Sequence, residues 1–201
     1  MLKTKKLSAQ TNFYNRFSFL YPLVDVFLKP QKEMFFDEIN QLPYGNLLEI
    51  GVGNGSHFAC YKNHKITGIE ISSSMLNVAK KNATNEIELF QMNGEQLEFA
   101  ENSFDYVVLS HVIAVADQPE KLLMQCHNVL KPGGRLLILN HFTPNNWLKH
   151  LDRLFNFCSG WFHLKSLFYI AHIKAINQFK LEKEIALKPF SYFKILIFTK
   201  P

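Results

Sequence analysis

The sequence predicts a single α/β domain built on an open, mainly parallel sheet and preceded by a helical arm. Three observations carry that prediction. Short apolar runs at 47–50, 66–71, 87–92, 104–110 and 135–140 alternate with segments of helical periodicity. The glycines Gly51, Gly53 and Gly55 follow the first run at once, as in a strand, tight turn, helix unit. The last two runs, 181–187 and 192–199, are joined only by Lys188-Pro189-Phe190-Ser191, a connection short enough to force an antiparallel hairpin.

The arm comes first in the chain. Phe13, Phe17, Leu20, Val24 and Phe27 recur at steps of four and three, so residues 9–29 read as one amphipathic helix, or as two divided at Pro22. Such an aromatic, basic segment suits a bilayer interface or a lid folded over the domain. Residues 31–42 continue as helix until Pro43-Tyr44-Gly45 ends it. A further helix is expected over 56–62, behind the glycines. Ser72 stands where an N-cap belongs, with Met75, Leu76 and Ala79 as the inner face of the next helix. Gln118-Pro119 opens another, with Leu122, Leu123, Cys126 and Leu130 buried and Lys131-Pro132-Gly133-Gly134 as its stop. Asn146–Phe157 reads as helical and leads into an aromatic stretch with Trp161, Phe162, His163, Phe168 and Tyr169. The organisation is one domain of 201 residues: a helical arm or lid over 1–42, a core over 43–141, and an insert with the hairpin over 142–201.

Composition narrows the function. Lys and Arg against Asp and Glu number 6 to 1 over residues 1–32, 7 to 13 over 33–140 and 9 to 3 over 141–201. Basic ends around an acidic middle are candidates for meeting something anionic, a membrane surface or a nucleic acid. No apolar run is long enough to cross a bilayer, and residues 1–20 lack the pattern of a signal peptide, so a cytoplasmic location is expected. Cys60, Cys126 and Cys158 are odd in number and widely spaced; they read as buried thiols, with neither a disulfide framework nor a metal site.

The chemistry gathers on the stretch LLEIGVGNGSHFACYKNHKITGIEI. Alternate glycines let the backbone approach a ligand closely, and the helix expected behind them would aim free N–H groups at the same place. Glu70 ends the second strand roughly 20 residues after the first glycine, where a carboxylate can accept from two ribose hydroxyls. A dinucleotide fingerprint would have its third glycine at position 56, which is Ser56, and does not call for the acid Glu49.

The pattern Glu49-x-Gly51-x-Gly53-x-Gly55 resembles motif I of the class I S-adenosylmethionine-dependent methyltransferases. The likeness extends through Asn93-Gly94-Glu95 after the third strand and through LKPGGRLLILN, and covers about 45–141. It implies a Rossmann-like, seven-stranded sheet whose last strand is antiparallel, with S-adenosyl-L-methionine as cofactor. It also implies cofactor contacts at Glu49, Gly51, Gly53, Asn54, Gly55, Glu70, Ile71, Met75, Asn93, Gly94, Glu95 and Ser110, the Asn93 side chain accepting from the adenine amino group. Asn replaces the family's usual Asp at 93, which keeps an acceptor and loses a charge. Ser110-His111-Val112-Ile113 stands where methyltransferases of DNA bases carry Asn or Asp, two prolines and an aromatic, which counts against a nucleobase substrate.

The arm, the GIEIS strand, the insert and the tail KPFSYFKILIF look similar to the bacterial phosphatidylethanolamine N-methyltransferases. That likeness implies methylation of a phospholipid amine at a membrane surface, with peripheral contact through the arm. Quinone-biosynthetic C-methyltransferases are similar in the core motifs, so a small soluble or quinone-like acceptor stays open, as does a protein that binds the cofactor or RNA without catalysis. An amine nucleophile must lose a proton before it attacks, and Tyr14, Tyr21, His111 and His141 are the candidate proton acceptors or headgroup contacts.

Overall fold

The structure is a computed structural model that describes residues 21–141, 170–187 and 193–201; side chains are described for 31–140, 170, 172–186 and 193–201. The first half of the arm with Tyr14, the 146–157 segment, the aromatic stretch to Tyr169, Cys158 and the 188–191 connection lie outside the described residues. Of Tyr21 and His141 the backbone alone is described.

The element order is helix α1 (Tyr21–Asn40), β1 (Gly45–Ile50), β2 (His64–Glu70), α2 (Ser73–Asn82), β3 (Ile87–Gln91), β4 (Phe104–Ser110), α3 (Pro119–Val129), β5 (Leu130–His141), β6 (Lys180–Leu187) and β7 (Phe193–Thr199). Seven strands form one sheet in the order β3-β2-β1-β4-β5-β7-β6. Strands β1 to β5 pair in parallel, whereas β7 runs antiparallel to both β5 and β6. The expected α/β class and the reversed last strand are therefore present.

Alternation along the strands divides the core between two faces. Leu47, Tyr106, Val108, Leu137, Leu139, Ile195 and Ile197 point to the face where Phe35, Phe36 and Ile39 of α1 pack. Leu48, Ile50, Val107, Leu109, Leu136, Ile138, Leu196 and Phe198 point to the other face, against Leu122, Leu123 and Cys126 of α3 and Ile173, Ile176 and Phe179 of the segment before β6. Helix α1 runs through Pro30. An interior proline costs about 3 kcal/mol, but burial of Phe35, Phe36 and Ile39 returns roughly 1.5–3 kcal/mol each, so packing wins.

Three expectations need correction. The helix expected over 56–62 is a single 3-10 turn, Phe58–Cys60. Gly51, Gly53 and Gly55 all take positive φ, at 77°, 59° and 70°, and the chain spends 51–55 on reversals before β2 pairs at His64. What remains is too short to repay helix nucleation, so no α-helix follows the glycines directly. Cys60 is exposed, because that turn buries Phe58 and leaves its neighbour outside; Cys126 is buried, and burial pushes its thiol up. Finally, α3 stops at Val129 and Leu130 already pairs with Phe104, the 131–134 residues bulging before Arg135 meets Tyr106.

Candidate functional site

Strand order reverses at β1, whose neighbours β2 and β4 lead away in opposite directions, and open α/β sheets bind ligands at such a point. A cavity lies there at the carboxyl ends of the strands. Its walls come from Ile50, Gly51 and Gly53 after β1, Glu70, Ile71, Ser72 and Met75 after β2, Met92 to Glu95 after β3, and Ser110 to Val112, Val115 to Asp117 and Leu122 after β4.

The floor depends on glycine. At Gly51 (φ 77°) a Cβ would stand 2.6 Å from Val112 Cγ2, so a side chain is excluded by conformation and by space. Gly53 (φ 59°) turns its N–H onto Glu70 Oε2 at 2.9 Å, while Glu70 Oε1 accepts from Ser72 N at 2.9 Å. Glu70 thereby ties the glycine loop to the N-terminus of α2, where the Ser72 hydroxyl accepts from Met75 N at 3.4 Å. A carboxylate has about four lone-pair positions, so two remain for a diol.

The third wall is a compact turn. Asn93 Oδ1 accepts from Glu95 N at 2.9 Å, which leaves it one further lone pair. Glu95, 9% exposed, accepts from Gln118 N at 2.8 Å and Gln118 Nε2 at 3.3 Å, so its carboxylate fixes the start of α3 as well as lining the cavity. His111 follows β4 with φ 60°, held by its N–H on Leu139 O at 2.7 Å and by its ring set edge-on to Phe193 at 5.7 Å. Ile71 and Val115 are apolar yet 49% and 41% exposed, and with Met75 they give the cavity an apolar rim.

Of the residues expected at a cofactor, Gly51, Gly53, Glu70, Ile71, Met75, Asn93, Gly94, Glu95 and Ser110 meet at this one cavity. Glu49, Asn54 and Gly55 do not line it. Alternation explains Glu49: its neighbour Ile50 points to the cavity, so Glu49 points to the α1 face, where His57 and Tyr61 bond to it. Asn54 shapes the loop, its Oδ1 accepting from Ser56 N at 3.1 Å and its carbonyl from Asn82 Nδ2 at 2.9 Å. Among the candidate proton acceptors His111 lines the cavity, and the His141 backbone lies at the carboxyl end of β5, paired with Phe193. Ile50, Ser72, Met92, Val112, Val115, Ala116, Asp117 and Leu122 also line the cavity, although the sequence did not assign them to a ligand site. Strand alternation was a sufficient signal for Ile50, and Ser72 and Met92 adjoin expected residues; Val115 to Asp117 belong to the loop after β4, where no motif marks them.

The donor set suits S-adenosylmethionine. Glu70 offers acceptors for a ribose diol, Ile71, Met75 and Val115 offer apolar surface for a base, and among the described residues the lining carries the acids Glu70, Glu95 and Asp117 with no lysine or arginine. Such a wall favours a cationic ligand and opposes a pyrophosphate.

Comparison with known proteins agrees with the geometry. Residues 48–138 match the family model described as "Methyltransferase domain". A phosphatidylethanolamine N-methyltransferase of Cereibacter sphaeroides is 29% identical over 167 residues, 78% of this chain and 80% of that protein. A ubiquinone/menaquinone biosynthesis C-methyltransferase of Haemophilus ducreyi is 33% identical over 123 residues, 56% of this chain and 47% of that protein. In fold, an S-adenosylmethionine-dependent methyltransferase from Thermotoga maritima superposes with a TM-score of 0.72 at 21% identity, covering 94% of this chain and 99% of that one. Residues 48–138 thus match a methyltransferase domain, and the seven-stranded sheet around them has the fold of S-adenosylmethionine-dependent methyltransferases.

Proposed function

We propose that this protein methylates the amine of a phospholipid headgroup, of the phosphatidylethanolamine kind, at a membrane surface. The observation that carries this reading is the reach of the similarity. It extends over 80% of the Cereibacter sphaeroides enzyme and 78% of this chain, against 56% of this chain for the Haemophilus ducreyi enzyme. The basic ends, 1–32 and 141–201, support it, since an anionic surface would attract them while the acidic middle keeps the cofactor cavity clear of phosphate. Among the described residues no helix is long and apolar enough to cross a membrane, so the contact proposed is peripheral and runs through the N-terminal arm.

The geometry supports the following roles. Glu70 would hold the ribose hydroxyls, Asn93 and the Gly94 backbone would meet the adenine edge, and Ile71, Met75 and Val115 would cover its faces. S-adenosylmethionine, when bound, supplies a methyl group already activated by its sulfonium charge. What remains for the chain is to align the nucleophile, exclude water and take a proton from the amine. His111 is the described residue suited to that last task. Its left-handed backbone costs of order 1–3 kcal/mol, and β5 and Phe193 hold it there at the cavity wall. The competing reading, a quinone-like acceptor, is favoured by the 33% identity to the Haemophilus ducreyi enzyme, a likeness confined to 56% of the chain.

The test is transfer of labelled methyl to vesicles of phosphatidylethanolamine and phosphatidylglycerol, with quinone precursors and a water-soluble extract in parallel. Label in mono- or dimethylated phosphatidylethanolamine is the expected result. Label confined to a quinone or to the soluble fraction would overturn the phospholipid reading and leave the methyltransferase domain untouched.

A further inference from the structure

Behind the glycine loop, on the face away from the cavity, lies a buried cluster that the methyl-transfer chemistry does not use. Glu49 is 1% exposed. Its carboxylate accepts from Tyr61 OH at 2.9 Å, and His57 Nε2 stands 2.8 Å from one oxygen and 2.9 Å from the other. Both partners flank the 3-10 turn Phe58–Cys60. Above them, Phe36 of α1 stacks on His57 (5.5 Å, 25°) and meets Tyr61 edge-on (4.9 Å, 89°). One carboxylate beneath and one ring above thus hold both ends of the segment that leaves Gly55.

That arrangement answers a need created by the fold. A full helix after the glycines would hold the loop by its own hydrogen bonds, but one 3-10 turn makes few, and three positive-φ glycines leave the backbone soft. Side chains must then supply the rigidity that a cofactor site requires. Tyr61 stays a neutral donor across the physiological range, because burial, the Glu49 charge and the Glu49 hydrogen bond all raise its ionisation. Glu49 is separated from the cavity by the strand itself, with Ile50 on the cavity side, so it acts on the ligand only through the loop.

We infer that Phe36, His57, Glu49 and Tyr61 form a positioning cluster that couples the docking of α1 to the shape of the glycine loop, and so to cofactor affinity. The inference rests on the neighbouring cavity being the S-adenosylmethionine site. In this cluster Glu49 and His57 are positioning residues. Phe36 brings the helix that continues the N-terminal arm into the same unit, so whatever shifts α1 also loosens the loop.

The experiment is a calorimetric titration of S-adenosylmethionine into the full chain and into His57→Leu, His57→Gln, Tyr61→Phe, Phe36→Leu and the Phe36→Leu/His57→Leu double variant, with melting curves to establish folding. His57→Leu is expected to weaken binding by about 5- to 30-fold. His57→Gln, which keeps a donor for Glu49, should recover most of that loss. Tyr61→Phe, the mildest change, should show a smaller loss in the same direction. In turnover assays KM for the cofactor should rise while kcat stays near that of the unaltered chain. The double variant should fall short of the product of the single effects, since the two residues touch. Unchanged affinity in folded His57→Leu and Tyr61→Phe, or independent effects of Phe36 and His57, would overturn the coupling. Absence of binding by the unaltered chain would instead overturn the cofactor reading on which it stands.

Discussion

Carboxylates placed at strand ends hold much of this molecule together. Asp105 is one: it accepts from Asn46 N at 2.9 Å and Lys131 Nζ at 2.7 Å, joining the start of β1 to the bulge of β5. Burial works against its ionisation, but the Lys131 hydrogen bond, the Asn46 N–H and the Lys131 charge outweigh it and hold the carboxyl below its ordinary value. Because the folded state prefers the charged form, the stability this group contributes is present above the unfolded carboxylate pKa of about 3.9 and is lost as pH falls through the lower folded value. Asp105→Asn should remove that part of the acid limb. Denaturant melts at stepped pH would show it as a smaller loss of stability for the variant than for the unaltered chain below about pH 4; parallel curves would rule it out. The same scale shows where sequence reading stopped. Glu70 was legible because an acid at a strand end after a glycine turn has one ready use. Glu49 was harder, since its motif position suggests the ligand while strand alternation turns it to the opposite face; the motif names a position and the pleat decides which side it serves.

Elements were legible to the extent that their signal was local. The central strands were readable because parallel strands buried on both faces leave continuous apolar runs, as at 104–110. The Ser72 cap and the Gln118-Pro119 helix start were readable from residue type. The missing helix over 56–62 was not, because its absence comes from the space that three left-handed glycines consume before β2, a tertiary constraint. Nor was the hold that α3 exerts on the segment before β6. Glu120 on α3 accepts from Lys174 N at 2.6 Å and Ala175 N at 2.8 Å, and so caps a 3-10 segment 54 residues away. Glu120→Ala should cost about 1 kcal/mol, as caps do, and speed hydrogen exchange at Lys174 and Ala175. Unchanged exchange at those amides would show that the apolar contacts of Ile173 and Ile176 hold the segment unaided.

Across the whole molecule, the strand order decides where chemistry can occur. The reversal at β1 opens one cleft at the carboxyl edge, and the loops after β1, β2, β3 and β4 converge there because register brings the strand ends level: Ile50 pairs with Ile69 and Leu109, and Glu70 with Gln91. Sequence motifs identified most of that cleft's walls, since each loop leaves a strand with a recognisable end. The loop after β4, with Val115 and Asp117, carries no such mark and enters the site only through the fold. This acidic, apolar-rimmed cleft is expected to hold S-adenosylmethionine by the carboxylate of Glu70. Calorimetric titration of the cofactor into the unaltered chain and into Glu70→Ala is the decisive experiment. Saturable one-to-one binding should weaken at least tenfold in the variant, since hydrogen bonds to a charged group contribute roughly 1.5–3 kcal/mol. Equal affinity in a folded Glu70→Ala protein, or no binding by the unaltered chain, would show that Glu70 does not hold the cofactor there.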